Sequence, residues 1–362
     1  MKFRTLMIGA ALLAFGLRSY AQQANSASDN LPRNDDSATY ITFDVPGAGT
    51  GHFQGATPVA INAAGSVTGN YYDAVGSRHG FVRAIDGTIT EFDGPGAACD
   101  QPYSLCTWPV AINALGVVTG YYCTPTNCSG FLRGPFGRII AFDVPGDVNG
   151  TYPADINLEG TITGYYCDVN YVCPGFVRTA NGTITTFDVP GDVNGTLPSA
   201  ISLEGTITGS YYDVNYTSHG FLRDRDGTIT TFDVPGALYT DAKAINLAGA
   251  ITGSYSDANY TSHGFLRSRD GTLTTFEVPG STYATTGRAI NPQGTIAGSY
   301  ADDAGYHGFL RTKDGNLTTL DPPGSNTTFY YTFANGINPA GVITGSYIDP
   351  GFLRHGFLRI PR

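Results

Sequence analysis

Seven copies of one sequence pattern run through this chain, and they constrain its fold more than any other feature. Each copy contains a Gly-Phe pair, and the copies follow one another with a period of about 45 residues. An Ala-Ile-Asn segment, an Ile-Thr-Gly segment and an acid after Phe or Leu recur in step with these pairs. The phenylalanines of the pairs are Phe81, Phe131, Phe176, Phe221, Phe265, Phe309 and Phe357. Self-similarity at this period indicates a repeat architecture.

Each copy predicts four short strands joined by tight turns. An Asn-x-x-Gly turn, such as Asn62 to Gly65, joins the first two strands, and an Asp-Gly turn, such as Asp226-Gly227, joins the last two. Four antiparallel strands per period form one propeller blade. The sequence therefore predicts an all-β fold, a seven-bladed β-propeller of four-stranded antiparallel blades. An open β-solenoid or a pair of β-sandwiches is the alternative.

The two ends of the repeated region complement each other. Residues Thr39 to Phe43 match a fourth strand, and residues Gly356 to Ile360 match a third strand. We therefore expect the N-terminal strand to complete the last blade and close the ring. A linear array would need atypical repeats to cap its ends.

The first residues have the pattern of a secretory signal. Lys2 and Arg4 precede an apolar run from Leu6 to Leu17 that is too short to span a bilayer, and a cleavage site follows Ala21. We predict a signal peptide over residues 1–21, a disordered polar tether over 22–38 and the propeller domain over 39–362. The mature chain is then expected to be secreted or periplasmic, monomeric and not inserted in a membrane.

The repeated motifs resemble those of the HAF-type extracellular repeat family, which is named for a His-Ala-Phe motif. The motif here is His-Gly-Phe, at residues 79–81, 219–221, 263–265, 307–309 and 355–357. Ile-Asn-x-x-Gly-x-Ile-Thr-Gly precedes it and a glycine turn follows, and the resemblance covers residues 39–362. It implies an exported repeat protein. It implies no activity and no catalytic residues.

The charge balance argues against one class of partner. Lys and Arg total 20 against 30 Asp and Glu, which gives a formal net charge of −10. Because nucleic-acid binding needs a basic surface, we expect no nucleic-acid partner. The sequence contains no His-Glu-x-x-His, Gly-x-Ser-x-Gly or Gly-Lys-Ser motif, and we assign no catalytic residue.

The six cysteines of an exported chain predict disulfides. Two pairs flank the same strand-two to strand-three loop in adjacent repeats, and a third pair lies in an irregular loop. The predicted disulfides are Cys99–Cys106, Cys123–Cys128 and Cys167–Cys173. Zinc is the competing interpretation, and it is disfavoured because the candidate ligands lie in separate loops.

A histidine precedes the Gly-Phe pair in five repeats, and an aspartate such as Asp73 lies earlier in the same loop. The histidines are His79, His219, His263, His307 and His355. We expect a His–Asp hydrogen bond to fix this loop and the carboxylate to raise the histidine pKa. The two repeats with paired cysteines lack the histidine, so a disulfide is expected to replace the pair there.

The acids after Phe, beginning with Asp44, are expected to form Asx-type turns with their own backbone. Calcium binding by these carboxylates is the alternative. We otherwise predict no metal and no cofactor.

Two irregular loops and one row of polar residues are the candidate binding sites. The loops carry Trp108 and the cluster Phe329, Tyr330 and Tyr331. These aromatic side chains could stack on sugar rings, or they could pack within their own loops. Asp155, Lys243 and Arg288 lie beside the Ala-Ile-Asn segments and are expected to line the mouth of a central channel.

Fold alone does not select a function. The redundancy of the repeats favours a secreted, non-catalytic binding or scaffold module for an extracellular glycan or protein. A polysaccharide-cleaving enzyme, a lyase or glycosidase with its site at the channel mouth, is one alternative. A purely structural envelope protein is the other.

Overall fold

Every regular element of the described chain is a β-strand. The computed structural model describes residues 38–99 and 106–362, and no helix occurs in these two ranges. The predicted signal peptide, and all of the predicted tether except Ala38, lie outside the described residues. No helix in the described ranges is long and apolar enough to cross a membrane.

The strands fall into four sets according to their order within a repeat. The first strands are β2 (Gly55–Ile61), β6 (Thr107–Ile112), β10 (Thr151–Ile156), β14 (Thr196–Ile201), β18 (Tyr239–Ile245), β22 (Ala284–Ile290) and β27 (Phe333–Ile337). The second strands are β3 (Val67–Tyr72), β7 (Val118–Cys123), β11 (Ile162–Tyr166), β15 (Ile207–Tyr212), β19 (Ile251–Ser256), β23 (Ile296–Asp302) and β28 (Ile343–Ile348). The third strands are β4 (Arg78–Arg83), β8 (Cys128–Arg133), β12 (Gly175–Arg178), β16 (Ser218–Arg223), β20 (Ser262–Arg267), β24 (Gly305–Arg311) and β29 (Arg354–Pro361). The fourth strands are β5 (Ile89–Phe92), β9 (Ile139–Phe142), β13 (Ile184–Phe187), β17 (Ile229–Phe232), β21 (Leu273–Phe276) and β25 (Leu317–Leu320). The two remaining strands are β1 (Ala38–Phe43) and β26 (Tyr330–Tyr331).

The strands of each repeat pair antiparallel in sequence order, which confirms the predicted four-stranded antiparallel sheets. The second, third and fourth repeats form separate four-stranded sheets. The other strands join into an eight-stranded and a nine-stranded sheet through short parallel contacts, such as Gly55 with Arg354. β1 pairs antiparallel with β29 from Ala38 opposite Pro361 to Phe43 opposite Gly356. The N-terminal strand therefore supplies the fourth strand of the seventh repeat.

A β-bulge interrupts the pairing of the first and second strands in every repeat. In the fourth repeat, for example, the register shifts between Pro198 and Ala200, which leaves Ser199 unpaired. A bulge redirects the side chain of its extra residue. The residues at this bulge are Val59, Val110, Ala154, Ser199, Lys243, Arg288 and Asn335.

The phenylalanine of each Gly-Phe pair is fully buried between neighbouring sheets. All seven of these rings are 0% exposed. Each of the first six meets an aromatic ring from the fourth strand that precedes its repeat in the chain, as Phe221 meets Phe187 at a centroid distance of 6.1 Å. Before Phe357 the equivalent position holds Leu320, which is also fully buried. Burying one such ring stabilises a fold by about 2–3 kcal/mol, so this contact is a major source of cohesion between sheets.

The asparagine that ends each Ala-Ile-Asn segment links successive repeats. The side-chain oxygen of Asn62 accepts the N–H of Ser66 within its own turn, and its Nδ2 donates to the carbonyl of Asn113 at 3.1 Å. The same donation continues from Asn113 to Asn157 and from Asn157 to Ser202, the residue that replaces asparagine in the fourth repeat. It resumes from Asn246 to Asn291, from Asn291 to Asn338 and from Asn338 back to the carbonyl of Asn62.

Two of the three predicted disulfides are confirmed. Cys123–Cys128 and Cys167–Cys173 are bonded. The third prediction was wrong for this structure, in which Cys99 and Cys106 are thiols. Residues 100–105 between them lie outside the described ranges. The two thiols instead share a cluster with His79 and Asp93, which is described below.

Candidate functional site

Six of the seven bulged residues of the first strands line one cavity of the described chain. This cavity has a volume of about 570 Å³. Its lining includes Trp108, Lys243 and Arg288, which the sequence identified, together with Arg78 and Arg354. The neutral polar residues of the wall are Thr57, Asn70, Ser199, Thr286 and Asn335. A narrower cavity adjoins it and is lined by all seven bulged residues and by Asp155.

Arg78 is held between two aromatic rings. Its guanidinium carbon lies 3.3 Å from the centroid of a Trp108 ring and 4.6 Å from the centroid of Tyr72. The side chain is only 9% exposed, and its Nε and Nη1 atoms are buried without a hydrogen-bond partner among the described residues. A buried cationic donor without a partner is costly. The contacts with the two rings therefore hold the Arg78 guanidinium at the wall of the cavity.

Arg288 and Arg354 are also fixed by protein contacts. Arg288 donates from Nε to Ser299 Oγ at 2.9 Å and lies 5.1 Å from the ring of Phe333. Arg354 donates from Nη1 to Thr57 Oγ1 at 3.1 Å, and its Nε is buried without a partner in the described chain. Lys243 and Arg288 both face the open cavity. The three arginines are thus oriented before any ligand arrives.

The wall of the larger cavity is positively charged, although the protein as a whole is acidic. Burial, opposed by Tyr121 and assisted to a smaller degree by the charge of Arg354, lowers the pKa of Arg78 to about 10. Burial also lowers the pKa of Arg288 and of Arg354. The described residues that line the larger cavity include no Asp or Glu. Because the cations are not neutralised from within the wall, an anionic ligand would relieve both their desolvation and their mutual repulsion.

Arg78 and Arg354 are site residues that sequence reasoning missed. Both directly precede the histidine of a His-Gly-Phe motif, a position occupied by Ser218, Ser262 and Tyr306 in the other three repeats with this motif. An unusual residue at one repeat position is the signal that could have identified them. Lys243 and Arg288 carry the same kind of signal, because the other repeats have Val, Ala, Ser or Asn at their position.

Trp108 has a different role from the predicted one. The Trp108 ring stacks on the Tyr121 ring at a centroid distance of 5.5 Å. The guanidinium carbon of Arg78 lies 3.3 Å from the centroid of a Trp108 ring. Because Tyr121 and Arg78 occupy its neighbourhood, the ring offers little free face for stacking on a sugar. Its contact with Arg78 makes it a support for a cation in the cavity wall.

The second predicted aromatic cluster lies beside the cavity and not in its described lining. Tyr331 meets Phe333 at 4.8 Å and lies 5.4 Å beneath the Arg354 guanidinium. Tyr330 lies 4.3 Å from the ring of His307. Phe329 stacks on Tyr331 at 6.4 Å and is 43% exposed. The cluster therefore packs partly within its own loop and partly on the neighbouring strands β24 and β29, and Tyr331 contributes by supporting Arg354.

Asp155 binds backbone groups of two repeats. Its Oδ1 accepts the N–H of Ile156 at 2.8 Å, and its Oδ2 accepts the N–H of Ile201 at 2.9 Å. Burial raises the pKa of Asp155 to about 6, although these two hydrogen bonds act to lower it. Both oxygens are therefore engaged, and the Oδ2 contact joins β10 to β14, while the side chain borders the narrower cavity.

Each histidine of a His-Gly-Phe motif lies between two acids. Nδ1 of His79 is 2.9 Å from Asp93 Oδ2, the acid after Phe, and Nε2 is 3.4 Å from Asp73 Oδ2. The predicted pairing with the loop aspartate is thus present, at 3.3–3.7 Å in the five repeats. The acid after Phe makes the shorter contact with the histidine. The sequence predicted a backbone turn for this acid and did not predict its contact with the histidine.

His307 is the most enclosed of these histidines, with 7% of its side chain exposed. Its Nδ1 lies 2.8 Å from Asp321, and its Nε2 lies 3.3 Å from Asp302. Burial acts to lower the pKa of His307, but the hydrogen bonds and charges of Asp302 and Asp321 outweigh it and raise the pKa to about 9. The expected rise in histidine pKa is therefore found here.

The substitution His307→Gln is expected to remove a pH-dependent part of the stability. Because the pKa of His307 is about 9 in the folded protein and the usual pKa of histidine is 6.5, the imidazolium stabilises the fold fully below pH 6.5, and this contribution is lost as pH rises through 9. We expect wild type to lose about 2 kcal/mol more than the variant over this window. Urea unfolding at pH 6 and pH 9 measures the difference. Parallel pH dependences in the two proteins would contradict the assignment.

A group of metal-ligand side chains lies near the cavity wall. One potential ligand atom each from His79, Asp93, Cys99 and Cys106 all lie within 4.8 Å of one another. Thr107 Oγ1 donates to Asp93 Oδ1 at 2.8 Å. Burial, followed by the neighbouring Cys106 and Asp93, raises the pKa of the Cys99 thiol. Zinc was disfavoured from the sequence because the candidate ligands lie in separate loops. The fold brings these loops together, so their separation in sequence does not argue against zinc.

Comparison with solved structures defines the class of this fold. Selenomethionine-substituted virginiamycin B lyase from Staphylococcus aureus is 14% identical with a TM-score of 0.58, over 89% of this chain and 100% of that one. A streptogramin B lyase is 15% identical with a TM-score of 0.54, over 89% and 97% of the two chains. The β-propeller domain of the Trilobed protease from Pyrococcus furiosus is 9% identical with a TM-score of 0.59, over 84% and 95%.

The chain thus has a β-propeller fold. At these identities the likeness shows the fold alone, and an activity must be argued from the site. No protein-family model matches the sequence, and no curated protein matches it.

Proposed function

We propose that this protein is an exported binding module whose cavity takes an acidic sugar, such as a uronate at the end of an extracellular glycan. The observation that carries the proposal is the convergence of Arg78, Lys243, Arg288 and Arg354 on a cavity without Asp or Glu in its described lining. Guanidinium groups bind carboxylates through paired, charge-assisted hydrogen bonds. The Arg78 guanidinium lines this cavity and can supply donors for such a contact.

The neutral groups of the wall favour a sugar over a small inorganic anion. Asn70, Asn335 and Thr286 offer amide and hydroxyl groups that can bind sugar hydroxyls. A volume of about 570 Å³ lies within the range of ligand-binding cavities and exceeds the needs of a single anion. One or two sugar units are the ligand size that fits.

The charge of the whole protein favours capture of a chain end. The formal net charge is −10, so the outer surface repels a long polyanion while the cavity attracts a carboxylate. A terminal acidic sugar can enter the cavity without laying the rest of the glycan along the protein.

The architecture proposed with this function is a seven-bladed propeller closed by β1. Two observations support it. The asparagine donations run from Asn62 through successive repeats and return from Asn338 to the carbonyl of Asn62. The pairing of β1 with β29 adds the missing fourth strand to the seventh repeat. In this arrangement the bulged residues of all seven first strands face the central channel.

The proposed location of this module is outside the cytoplasm. Its two disulfides are typical of proteins from an oxidising environment. This setting would bring the cavity into contact with extracellular glycans.

A lyase is the second candidate, and one feature of the wall favours it over a glycosidase. A glycosidase uses two carboxyl groups, and the described lining of the larger cavity contains none. A lyase acting on a uronate needs a cation against the carboxylate and a base near the adjacent carbon. Arg78 and the Tyr72 hydroxyl could take these roles. A product with a carbon–carbon double bond, detected by mass spectrometry, would identify cleavage.

Calorimetric titration with trigalacturonate tests the binding proposal. We expect wild type to bind the acid and to bind its methyl ester at least tenfold more weakly, because esterification removes the charge that the arginines recognise. Arg288→Met should weaken binding of the acid about tenfold. Arg269→Met is the matched control. Arg269 is 71% exposed and lies 3.7 Å from Glu204, and it does not line this cavity.

Two results would contradict the proposal. One is equal affinity for the acid and its ester, and the other is an affinity that Arg288→Met leaves unchanged. Binding of an acidic peptide without binding of any acidic oligosaccharide would overturn the glycan assignment in favour of a protein partner. Absence of binding to both would favour a structural role.

A further inference from the structure

We propose that His79, Asp93, Cys99 and Cys106 bind one zinc ion. A potential ligand atom from each residue lies within 4.8 Å of the other three, and this is the one such group found in residues 38–99 and 106–362. His79 belongs to β4, and Asp93 follows β5. Cys106 directly precedes β6. The site therefore joins the third and fourth strands of one sheet to the first strand of the next.

The donor set is suited to zinc. Zinc favours four ligands in a tetrahedron, with Zn–S distances of about 2.3 Å and Zn–N distances of about 2.0 Å. Such a shell places its ligand atoms about 3.3–3.8 Å apart, so the cluster needs a contraction of about 1 Å. Two thiolates and an imidazole select zinc over calcium or magnesium, which prefer oxygen ligands. Calcium binding, the alternative considered for the acids after Phe, is therefore less favoured at Asp93 than at the other acids of this set.

Outer contacts already orient two of the four ligands. Nδ1 of His79 faces Asp93 at 2.9 Å, while its Nε2 faces Asp73 at 3.4 Å. Thr107 Oγ1 holds Asp93 Oδ1 at 2.8 Å, which leaves Oδ2 directed toward the cluster. A carboxylate on the far nitrogen of a histidine ligand is a common outer partner in metal sites.

Binding would exchange protons for the ion in a balanced step. The ion displaces one proton from each thiol and the Nδ1 proton that His79 donates to Asp93, so three protons are released, while Nε2–H continues to face Asp73. With two thiolates, one carboxylate and Zn²⁺, the site carries a net charge of −1. No oxidation or reduction is involved.

The equivalent sites in other repeats provide an internal comparison. His219 and Asp233 make the same histidine–acid contact at 2.9 Å. The segment after Asp233 contains no cysteine, and Cys123, Cys128, Cys167 and Cys173 are joined in disulfides. Two sulfur ligands are therefore added to the repeated pair at His79 alone. The common histidine–acid pair explains the loop structure, whereas the cysteines at this one position call for a separate explanation.

A metal here would connect two parts of the cavity wall. His79 follows Arg78, and Cys106 precedes Trp108 by two residues. The ion would fix the strands that carry this cation and its aromatic support. The proposal does not depend on the identity of the ligand in the cavity.

The test is metal and thiol analysis of the exported full-length protein, purified without chelator and without reductant. We expect about one zinc per chain by inductively coupled plasma mass spectrometry. After denaturation with chelator we expect two titratable thiols. The variant Cys99→Ser should lose the zinc, and His79→Ala should bind it at least tenfold more weakly. His219→Ala is the matched control and should retain it.

Cobalt substitution gives a second readout that does not depend on folding yield. Co²⁺ in the wild-type site should show the visible absorption of a tetrahedral ion and a thiolate charge-transfer band, and both should be lost in Cys106→Ser. Zero thiols per denatured chain would overturn the proposal, because it would mean that Cys99 and Cys106 form a disulfide. Two thiols with no bound zinc, before and after addition of zinc chloride, would overturn it as well.

Discussion

Replacing Phe221 with alanine is expected to lower the free energy of unfolding by about 4 kcal/mol. The ring is 0% exposed and packs with Val189, Ile201 and Ile207. It also meets Phe187 of the preceding sheet edge-on at 6.1 Å. The substitution removes most of this buried area and leaves a cavity between two sheets, which cannot collapse because strands on both sides are hydrogen-bonded.

Urea unfolding of wild type and Phe221→Ala measures this loss, with Phe136→Ala as the control. Phe136 is fully exposed, at 101%, and its truncation is expected to change stability by less than about 0.5 kcal/mol. A loss below about 1 kcal/mol for Phe221→Ala would show that the contacts between sheets do not depend on the Gly-Phe motif.

The substitution Gly209→Ala is expected to destabilise the fold by about 3 kcal/mol. A Cβ atom there would overlap the carbonyl oxygen of Leu197, and it would lie 2.7 Å from Pro198 Cα and 2.9 Å from a ring carbon of Phe221. The first two are backbone atoms of the neighbouring strand, which cannot move without breaking its pairing. The glycine of Ile-Thr-Gly is therefore required by close strand packing.

Gly134→Ala is the matched control for this prediction. The nearest atom to a Cβ at Gly134 is the Arg138 carbonyl oxygen at 3.8 Å, and Gly134 does not have a positive φ. We expect its stability to remain within about 0.5 kcal/mol of wild type. If the two alanine variants unfold at the same urea concentration, the steric explanation for the repeated glycine is wrong.

Repetition is what made the fold predictable from sequence. Each strand is short, so one copy of the repeat alone would give only a weak prediction. Counterparts of Phe221 and Gly209 recur at the same position in all seven copies, which makes the prediction of the strands strong. The tight turns follow from local chemistry. Asn62, for example, accepts the N–H of Ser66 and positions Gly65 at a φ of +89°. These features depend on neighbours in sequence.

The candidate site was predicted only in part because it depends on contacts between repeats. Lys243 and Arg288 were found because they differ from other residues at their repeat position. Arg78 and Arg354 come from third strands, and their approach to the same cavity depends on how the sheets meet. The bulge that directs Arg288 inward is a backbone irregularity with no sequence signal comparable to the Asp-Gly turn.

The cysteine prediction failed where the repeat gave no guidance. Cys123–Cys128 and Cys167–Cys173 occupy equivalent positions in two repeats, and both are bonded. Cys99 and Cys106 have no equivalents, so their assignment relied on their closeness in sequence. The fold places His79 and Asp93 beside them, which changes the chemistry that the two thiols can perform.

Fluorescence of the single tryptophan tests the central claim most directly. Trp108 contacts Arg78 in the cavity wall, so its emission should respond when an acid enters. Titration with trigalacturonate at low ionic strength is predicted to give a saturable change in emission that is weakened by added salt and by Arg288→Met. An unchanged emission with every acidic oligosaccharide, or the same change with the methyl ester, would contradict an anion-binding cavity.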